Sequence, residues 1–301
     1  SYTIDNIISL FKGVGVIIDE NIDNASSRDD ILKIYKYFKY KQIPILTYTS
    51  IPEDEVVLNF RNANFIVLDW NLHNQDPITS TTIDENIHFI KIVNSVCFVP
   101  IFIFTNEEPH EIELILQDRG LFYEDKSNNI FVKSKSEIRS GRILFSEIAK
   151  WVRKTPSVYV MKQWEMNTHN ATSKLFHDLN GISSDWTSIM LDTYLEDVGA
   201  ENAEIGNLLF NNLTSTCAPL ILDRSIVHKT RKGITKQELR QLLERGKYIK
   251  SDNLFPYPAL GDIYREGKSY YFNFRPDCDL VRNDNPELYL VKGKVIKEND
   301  S

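Results

Sequence analysis

The chain has 301 residues, of which 42% are hydrophobic and 26% charged, and its formal net charge is −7. This composition is ordinary for a globular protein, and the length suits one large domain or two smaller ones. Residues 1–155 hold 17 basic and 22 acidic side chains, a net charge of −5, which leaves −2 for the rest. Neither part has the basic excess that is typical of nucleic-acid binders, so a nucleic-acid partner is disfavoured.

The sequence also indicates where the protein works. No apolar run approaches the roughly 18 residues of a membrane span, and the N-terminus lacks the layout of a secretion signal. The three cysteines are odd in number and far apart, at Cys97, Cys217 and Cys278. Because this spacing fits neither a disulfide framework nor a metal site, we expect a protein of the reducing cytoplasm with no membrane partner.

The first half of the chain alternates between two hydrophobic periods. A short helix is predicted at 3–12. Continuous apolar runs predict buried strands at 13–19, 42–49, 64–69, 99–105 and 129–134. Helical spacing between and after them predicts helices at 26–41, 52–62, 81–96, 108–120 and 136–154. This order predicts a doubly wound parallel five-stranded sheet, with ligands at the carboxyl ends of the strands. A dinucleotide-binding sheet is disfavoured, because the first strand is not followed by a glycine-rich turn.

The pattern changes after Pro156. Helices are predicted at 157–179, 183–198, 200–217 and 235–249, and the last begins with Thr235 and Glu238 in capping-box spacing. From about Tyr257 the chain predicts a hairpin that turns at Glu266-Gly267 and a second one that turns at Lys292-Gly293. We therefore expect a sheet domain, a helical segment and a small β-rich module. Their predicted bounds are 1–155, 156–250 and 251–301. For the β-rich module, two questions stay open: whether its fold is SH3-like and whether it is incomplete.

Carboxylates stand at the ends of two predicted strands. Asp19 and Glu20 follow the first strand and Asp69 ends the third. Carboxylates crowded at one edge of a sheet repel one another unless a cation lies among them. Mg²⁺ prefers carboxylate, carbonyl and water oxygens, so the sequence predicts a magnesium site formed by Asp19 or Glu20 together with Asp69, the carbonyl group of Asn71 and water.

Two further side chains complete the predicted site. Thr105 ends the fourth strand and Lys133 lies at the end of the fifth. A transferred phosphoryl group needs its oxygens neutralised, which a lysine, a hydroxyl group and a metal ion can do together. Asp69 would then be the nucleophile that takes the phosphoryl group as an acyl phosphate.

These residues resemble the response-regulator receiver domain of two-component signalling, over residues 13–155. The motifs are "VIIDEN", "VLDW", "IFTNE" and "FVKSK", in the order of the family. The resemblance implies a flavodoxin-like fold and a Mg²⁺ cofactor. It also implies phosphotransfer to Asp69 from a histidine-kinase-like ATP-binding partner, after which Thr105 reorients as a switch. Whether the protein forms a homodimer is left open by the resemblance. Two positions depart from the family: Ser134 replaces the proline after the lysine, and Ile130 replaces the second, aromatic switch residue.

Three functions remain open. The first is a phosphoacceptor response regulator that controls a non-DNA-binding output module, similar to the divergent response receivers of bacterial anti-phage and conflict signalling. The second is a non-phosphorylated pseudo-receiver scaffold for dimerisation or docking. The third is a receiver-controlled, nuclease-like enzyme in the C-terminal module.

The third function would use the segment "RPDCDL", with Asp277, Cys278 and Asp279 as the candidate output site. The preceding "GDIY" weakly resembles the opening strand of the SH3-like MazF/PemK-type toxin endoribonucleases. The structural alternative for "RPDCDL" is a tight turn with aspartate caps and a buried cysteine.

Overall fold

The computed structural model describes residues 4–23, 30–73, 75–123, 128–138, 140–198, 205–227, 233–244, 258–276, 279–280 and 287–293. The strands of the first half are β1 (Val14–Ile18), β2 (Ile45–Tyr48), β3 (Ala63–Asp69), β4 (Ile101–Thr105) and β5 (Ile130–Ser134). The helices of this half are α1 (Ile4–Leu10), α2 (Asp30–Tyr40), α3 (Asp54–Val57), α4 (Ser80–Val96), α5 (Pro109–Asp118) and α6 (Gly141–Lys154). Two 3-10 helices lie at Phe60–Asn62 and Lys135–Glu137, and the second is called the post-β5 turn below.

The five strands form one parallel sheet in the order β2-β1-β3-β4-β5. This is the flavodoxin-like order, and it confirms the doubly wound fold that the sequence predicts. Both faces of the sheet are covered. In β3, Phe65 and Val67 belong to one buried core, and Ile66 and Leu68 belong to the other. The unbroken apolar run in β3 is therefore explained by burial on both sides.

Different helices cover the two faces. The Phe65 side packs against apolar residues of α1, α2 and α6, namely Ile7, Ile8, Ile31, Ile34, Phe38, Leu144, Phe145 and Ile148. The Leu68 side packs against apolar residues of α4 and α5, namely Ile87, Phe89, Ile90, Val93, Ile112 and Leu116. Each set recurs at the three- and four-residue spacing of a helix face, which is why these segments form helices against the sheet.

The chain divides into two compact units. The first contains residues 1–167 and 219–229, and the second contains residues 168–218 and 230–301. The division falls inside α7 (Pro156–Ile182), whereas the sequence predicts a domain boundary at 155. The return of residues 219–229 to the first unit was not predicted.

The remaining elements follow the predicted change of pattern. They are α8 (Trp186–Val198), α9 (Ile205–Thr216), α10 (Arg224–Val227) and α11 (Lys236–Glu244), then β6 (Ile263–Glu266), β7 (Ser269–Asn273) and β8 (Leu290–Gly293). The capping box before α11 is confirmed, because the Thr235 amide group donates to Glu238 at 2.9 Å and the Glu238 amide group donates to the Thr235 hydroxyl at 3.2 Å.

The small antiparallel sheet has the order β6-β7-β8. The first hairpin is confirmed, but its two-residue turn is Gly267-Lys268, because Glu266 pairs with Ser269. The second predicted turn is wrong. Lys292 pairs with Tyr271 inside β8, so it lies in a strand and not in a turn.

No helix in the part of the chain that the structure describes combines the length and the apolar character needed to cross a membrane.

Candidate functional site

Two buried aspartates lie side by side at the carboxyl ends of neighbouring strands. Asp69 is the last residue of β3 and Asp19 directly follows β1. The register pairs Ile18 with Leu68, so the next position along each strand brings Asp19 beside Asp69. Their exposed fractions are 1% and 3%. Two carboxylates buried this deeply side by side repel each other unless a cation lies nearby.

That cation is the ammonium group of Lys135. Its Nζ atom lies 2.5 Å from Oδ2 of Asp69 and 3.6 Å from Oδ2 of Asp19. Lys135 belongs to the post-β5 turn and is itself only about a quarter exposed, at 24% of its side chain. One partly buried positive charge therefore serves both carboxylates.

The sequence assigned this role to Lys133, and the structure places Lys133 elsewhere. Its ammonium group is paired with two glutamates, Glu137 and Glu147. The strand register explains the difference, because Lys133 pairs with Phe104 in β4, and Phe104 pairs with Asp69. The buried Phe104 therefore stands between Lys133 and Asp69 in the same row of the sheet. Lys135 lies beyond the strand, where no such side chain intervenes in the register.

Sequence reasoning missed Lys135 although "FVKSK" shows both lysines. They are two residues apart, so strand alternation directs both to the same face and does not distinguish them. The deciding fact is the register of β5 against β4, which sets the buried Phe104 between Lys133 and Asp69. The sequence predicts the end of this strand at 134 correctly, but an apolar run does not reveal how a strand is aligned with its neighbour.

The loops after β1 and β3 hold the two aspartates in the same way. The Asn21 amide group donates to Oδ1 of Asp19 at 2.9 Å, and the Asn71 amide group donates to Oδ1 of Asp69 at 3.2 Å. Each aspartate thus has one carboxylate oxygen on its own loop and directs the other, Oδ2, towards Lys135. This orients both Oδ2 atoms to the same point.

Thr105, the predicted switch hydroxyl, is fully buried at the end of β4. Its Oγ1 atom accepts from the Glu107 amide group at 2.9 Å. The carboxylate of Glu107 in turn accepts from the side-chain amide group of Asn71 at 3.2 Å. The loops after β3 and β4 are therefore linked through Asn71 and Glu107, beside the buried aspartates.

The carboxylates fit a divalent cation in part. Asp19 and Asp69 provide the hard oxygen donors that Mg²⁺ requires. Both carboxylates already share one positive charge. Glu20 is half-buried, and its Oε1 atom accepts from the side-chain amide group of Asn21 at 3.4 Å. Across the residues that the structure describes, no three acidic, histidine or cysteine side chains are grouped to hold a metal. A role for Glu20 and for the Asn71 carbonyl group as ligands stays a prediction.

A cavity of about 190 Å³ opens beside Lys135. Its polar lining residues are Asn21, Asp30, Asn106 and Lys135, and its apolar ones are Ile31, Ile34, Phe104 and Ile138. Lys135, which contacts Asp69, therefore also borders open space. A small group can approach the site from this side of the sheet.

Other residues singled out by the sequence have structural roles. Ile130 is buried in the core on the α4 side, and Trp70 is fully buried there too. The Trp70 carbonyl group accepts from the side-chain amide group of Asn86 at 2.7 Å, which fixes the chain directly after Asp69. Ser134 caps the post-β5 turn through its hydroxyl group, which accepts from the Ser136 amide group.

The candidate output site is described only in part. Asp277 and Cys278 lie outside the described residues. The Asp279 amide group donates to the Pro276 carbonyl oxygen at 3.0 Å. The nuclease-like function therefore stays a prediction.

No protein-family model matches the sequence, and the comparison with curated proteins found no significant match.

Proposed function

We propose that residues 1–155 act as a receiver-type phosphoacceptor domain, in which Asp69 takes a phosphoryl group and thereby controls a non-DNA-binding output module. The observation that carries this proposal is the contact of Lys135 with Asp69 at 2.5 Å, with Asp19 on the same ammonium group. A buried carboxylate, a second acidic residue, a lysine and a buried hydroxyl group at one sheet edge are the groups that phosphoryl transfer needs. The proposed donor is a histidine-kinase-like ATP-binding protein, and the proposed setting is bacterial anti-phage or conflict signalling.

The proposed reaction moves one phosphoryl group. A carboxylate oxygen of Asp69 attacks the phosphorus atom of a phosphohistidine donor; the O–P bond of an acyl phosphate forms and the P–N bond breaks. The electron pair of that bond stays on the imidazole ring, which takes a proton from water. Lys135 neutralises charge on the phosphoryl oxygens, and the Asn71 and Asn21 amide groups keep the carboxylates oriented. Mg²⁺, held by Asp19 and Asp69, would add positive charge at the same point.

The test is phosphorylation of the full chain with Mg²⁺ and a small phosphodonor, followed by intact mass. We expect the wild type to gain one phosphoryl group and Asp69→Ala to gain none. Asp23→Asn is the control, because Asp23 is an exposed aspartate of the loop that begins at Asp19, and its replacement should leave the reaction unchanged. A wild-type protein that gains no phosphate, and shows no response to a beryllofluoride mimic, would rule the proposal out.

The grouping of side chains also favours a second candidate, the non-phosphorylated scaffold. Lys135 already supplies a cation to both aspartates, and no third acidic ligand joins them among the described residues. In a scaffold, the same ion pairs serve only to stabilise a docking or dimerisation module. Magnesium titration separates the two candidates: the phosphoacceptor binds Mg²⁺ and loses this binding in Asp19→Asn, whereas the scaffold binds none.

A further inference from the structure

The post-β5 turn is held in place on both sides of Lys135. Before it, the Ser134 hydroxyl group accepts from the Ser136 amide group at 3.3 Å. After it, Glu137 is paired with Lys133, four residues back along the chain. Ile138 then enters the buried core on the α6 side. The backbone at Lys135 therefore lies between two fixed points.

Lys133 also connects this turn to helix α6. Its Nζ atom lies 3.9 Å from Oε2 of Glu147, a residue of α6. Glu147 has a second cation, Lys150, at 2.6 Å, and only 21% of the Glu147 side chain is exposed. Because Lys133 is itself 25% exposed, this contact is partly shielded from solvent and from salt. Lys133 thus contacts a carboxylate of the turn and a carboxylate of α6 with one ammonium group.

We infer that Lys133 is a positioning residue for Lys135: its ion pairs with Glu137 and Glu147 hold the post-β5 turn against α6 and aim Lys135 at Asp69. This inference rests on the proposed function for its effect on phosphoryl transfer, although the contact itself can be tested without that reaction.

The physical reason lies in the flexibility of lysine. A lysine side chain is a flexible four-carbon stem, so its ammonium group is well placed only when the backbone that carries it is fixed. A charge that is already in place needs no reorganisation when negative charge develops on a phosphoryl group. Lys133 helps to fix this backbone through its ion pairs with Glu137 and Glu147.

The first test measures phosphorylation of the full chain by a small phosphodonor in Lys133→Gln. We expect a maximal rate roughly fivefold lower, which corresponds to the loss of a partly shielded ion pair. The donor concentration at half-maximal rate should stay unchanged, because Lys133 does not border the cavity. Lys133→Arg should restore the rate, and Lys135→Gln should lower it about 100-fold or more.

Lys150→Gln is the matched control. Lys150 pairs with the same Glu147 but is 62% exposed and makes no ion pair with the turn. Its loss should leave the rate within twofold of the wild type. Equal effects of Lys133→Gln and Lys150→Gln would overturn the inference, since the link to the turn would then be irrelevant.

The second test needs no phosphorylation. The rate at which an amine-reactive ester labels Lys135 is measured by peptide mass spectrometry, with circular dichroism as the check on folding. Labelling should be severalfold faster in Lys133→Gln than in the wild type or in Lys150→Gln. An unchanged rate would overturn the inference even if Asp69 is phosphorylated. If the wild type takes no phosphate but the labelling rises, only the proposed function fails.

Discussion

Lys162 is a buried charge at some distance along the sequence from the candidate site. It lies on α7, is 3% exposed and pairs with Glu165 at 2.9 Å. Burial lowers the pKa of Lys162 from its ordinary value of 10.5, and Glu165 opposes this shift. Cys97 is within electrostatic reach; burial raises the pKa of its thiol from 9.0, and Lys162 opposes that shift. The two residues therefore contribute to the pH dependence of stability with opposite signs.

We predict that Lys162→Met raises the free energy of unfolding at pH 7 by about 1 kcal/mol. The folded pKa of Lys162 is below the unfolded one, so the unfolded chain binds the proton more tightly. The contribution of Lys162 to the free energy of unfolding is therefore least favourable at pH values below its folded pKa, and it rises with pH up to about 10.5. The stability that Lys162→Met adds relative to its parent should shrink over the same pH range. Glu165 is 44% exposed and stays solvated without its partner.

Urea unfolding at several pH values is the measurement. It is made in a Cys97→Ala background, because the raised thiol pKa makes stability fall with pH above 9.0 and would mask the lysine. Two results would contradict the lowered pKa of Lys162. One is a Lys162→Met variant that is less stable than its parent at pH 7, and the other is a stability difference between the two that does not change with pH.

At the scale of the elements, the centre of the sheet tolerates little change. Gly15 lies in β1, and a Cβ atom added there would be 2.6 Å from Cε2 of Phe65, with Cζ of the same ring closer still, and 2.8 Å from Cδ1 of Ile45. The Phe65 ring cannot give way, because it packs against Phe38 at 5.0 Å and against Phe11 at 6.1 Å between ring centroids. Gly15 is therefore required by the close approach of side chains across β1.

We predict that Gly15→Ala lowers the free energy of unfolding by about 1 to 3 kcal/mol through overpacking. Gly181→Ala is the comparison, because a Cβ atom added to this helical glycine meets nothing within 4 Å. It should leave stability unchanged or raise it by up to about 1 kcal/mol, because alanine favours a helix more than glycine does. Chemical unfolding of both variants decides the matter, and a Gly15→Ala protein as stable as the wild type would show that the core can repack.

The elements also show what the sequence can specify. β3 and β4 are buried on both faces and form continuous apolar runs, so their existence and order could be predicted. The side chains that follow such strands were placed correctly for Asp19, Asp69 and Thr105, because each stands directly after or at the end of an apolar run. Lys133 was misplaced because the register of β5 against β4 sets Phe104 between Lys133 and Asp69, and an apolar pattern does not reveal that register.

At the scale of the whole molecule, the first unit is completed by a segment that returns to it from residue 219. α10 is only four residues long, which is too short for a helical period to show in the sequence. Its Ile226 nevertheless is 1% exposed and belongs to the core between the sheet and α6. The Asp223 amide group donates to the Tyr159 hydroxyl oxygen at 3.1 Å and ties the segment to α7. Such a contact between distant residues has no local sequence signal, which is why the return could not be predicted.

We predict that Ile226→Ala in the full chain lowers the stability of the first unit by about 2 to 5 kcal/mol, because it removes a fully buried side chain and leaves a cavity. Hydrogen exchange of the β3 amide groups measures this, since β3 lies at the centre of the sheet. Ile221→Ala is the matched control: Ile221 belongs to the same segment but is 85% exposed, so exchange in β3 should stay as in the wild type. Equal exchange in both variants would mean that the sheet is stable without the returning segment. Slow exchange lost only in Ile226→Ala would show that the first unit depends on residues that follow it by more than fifty positions.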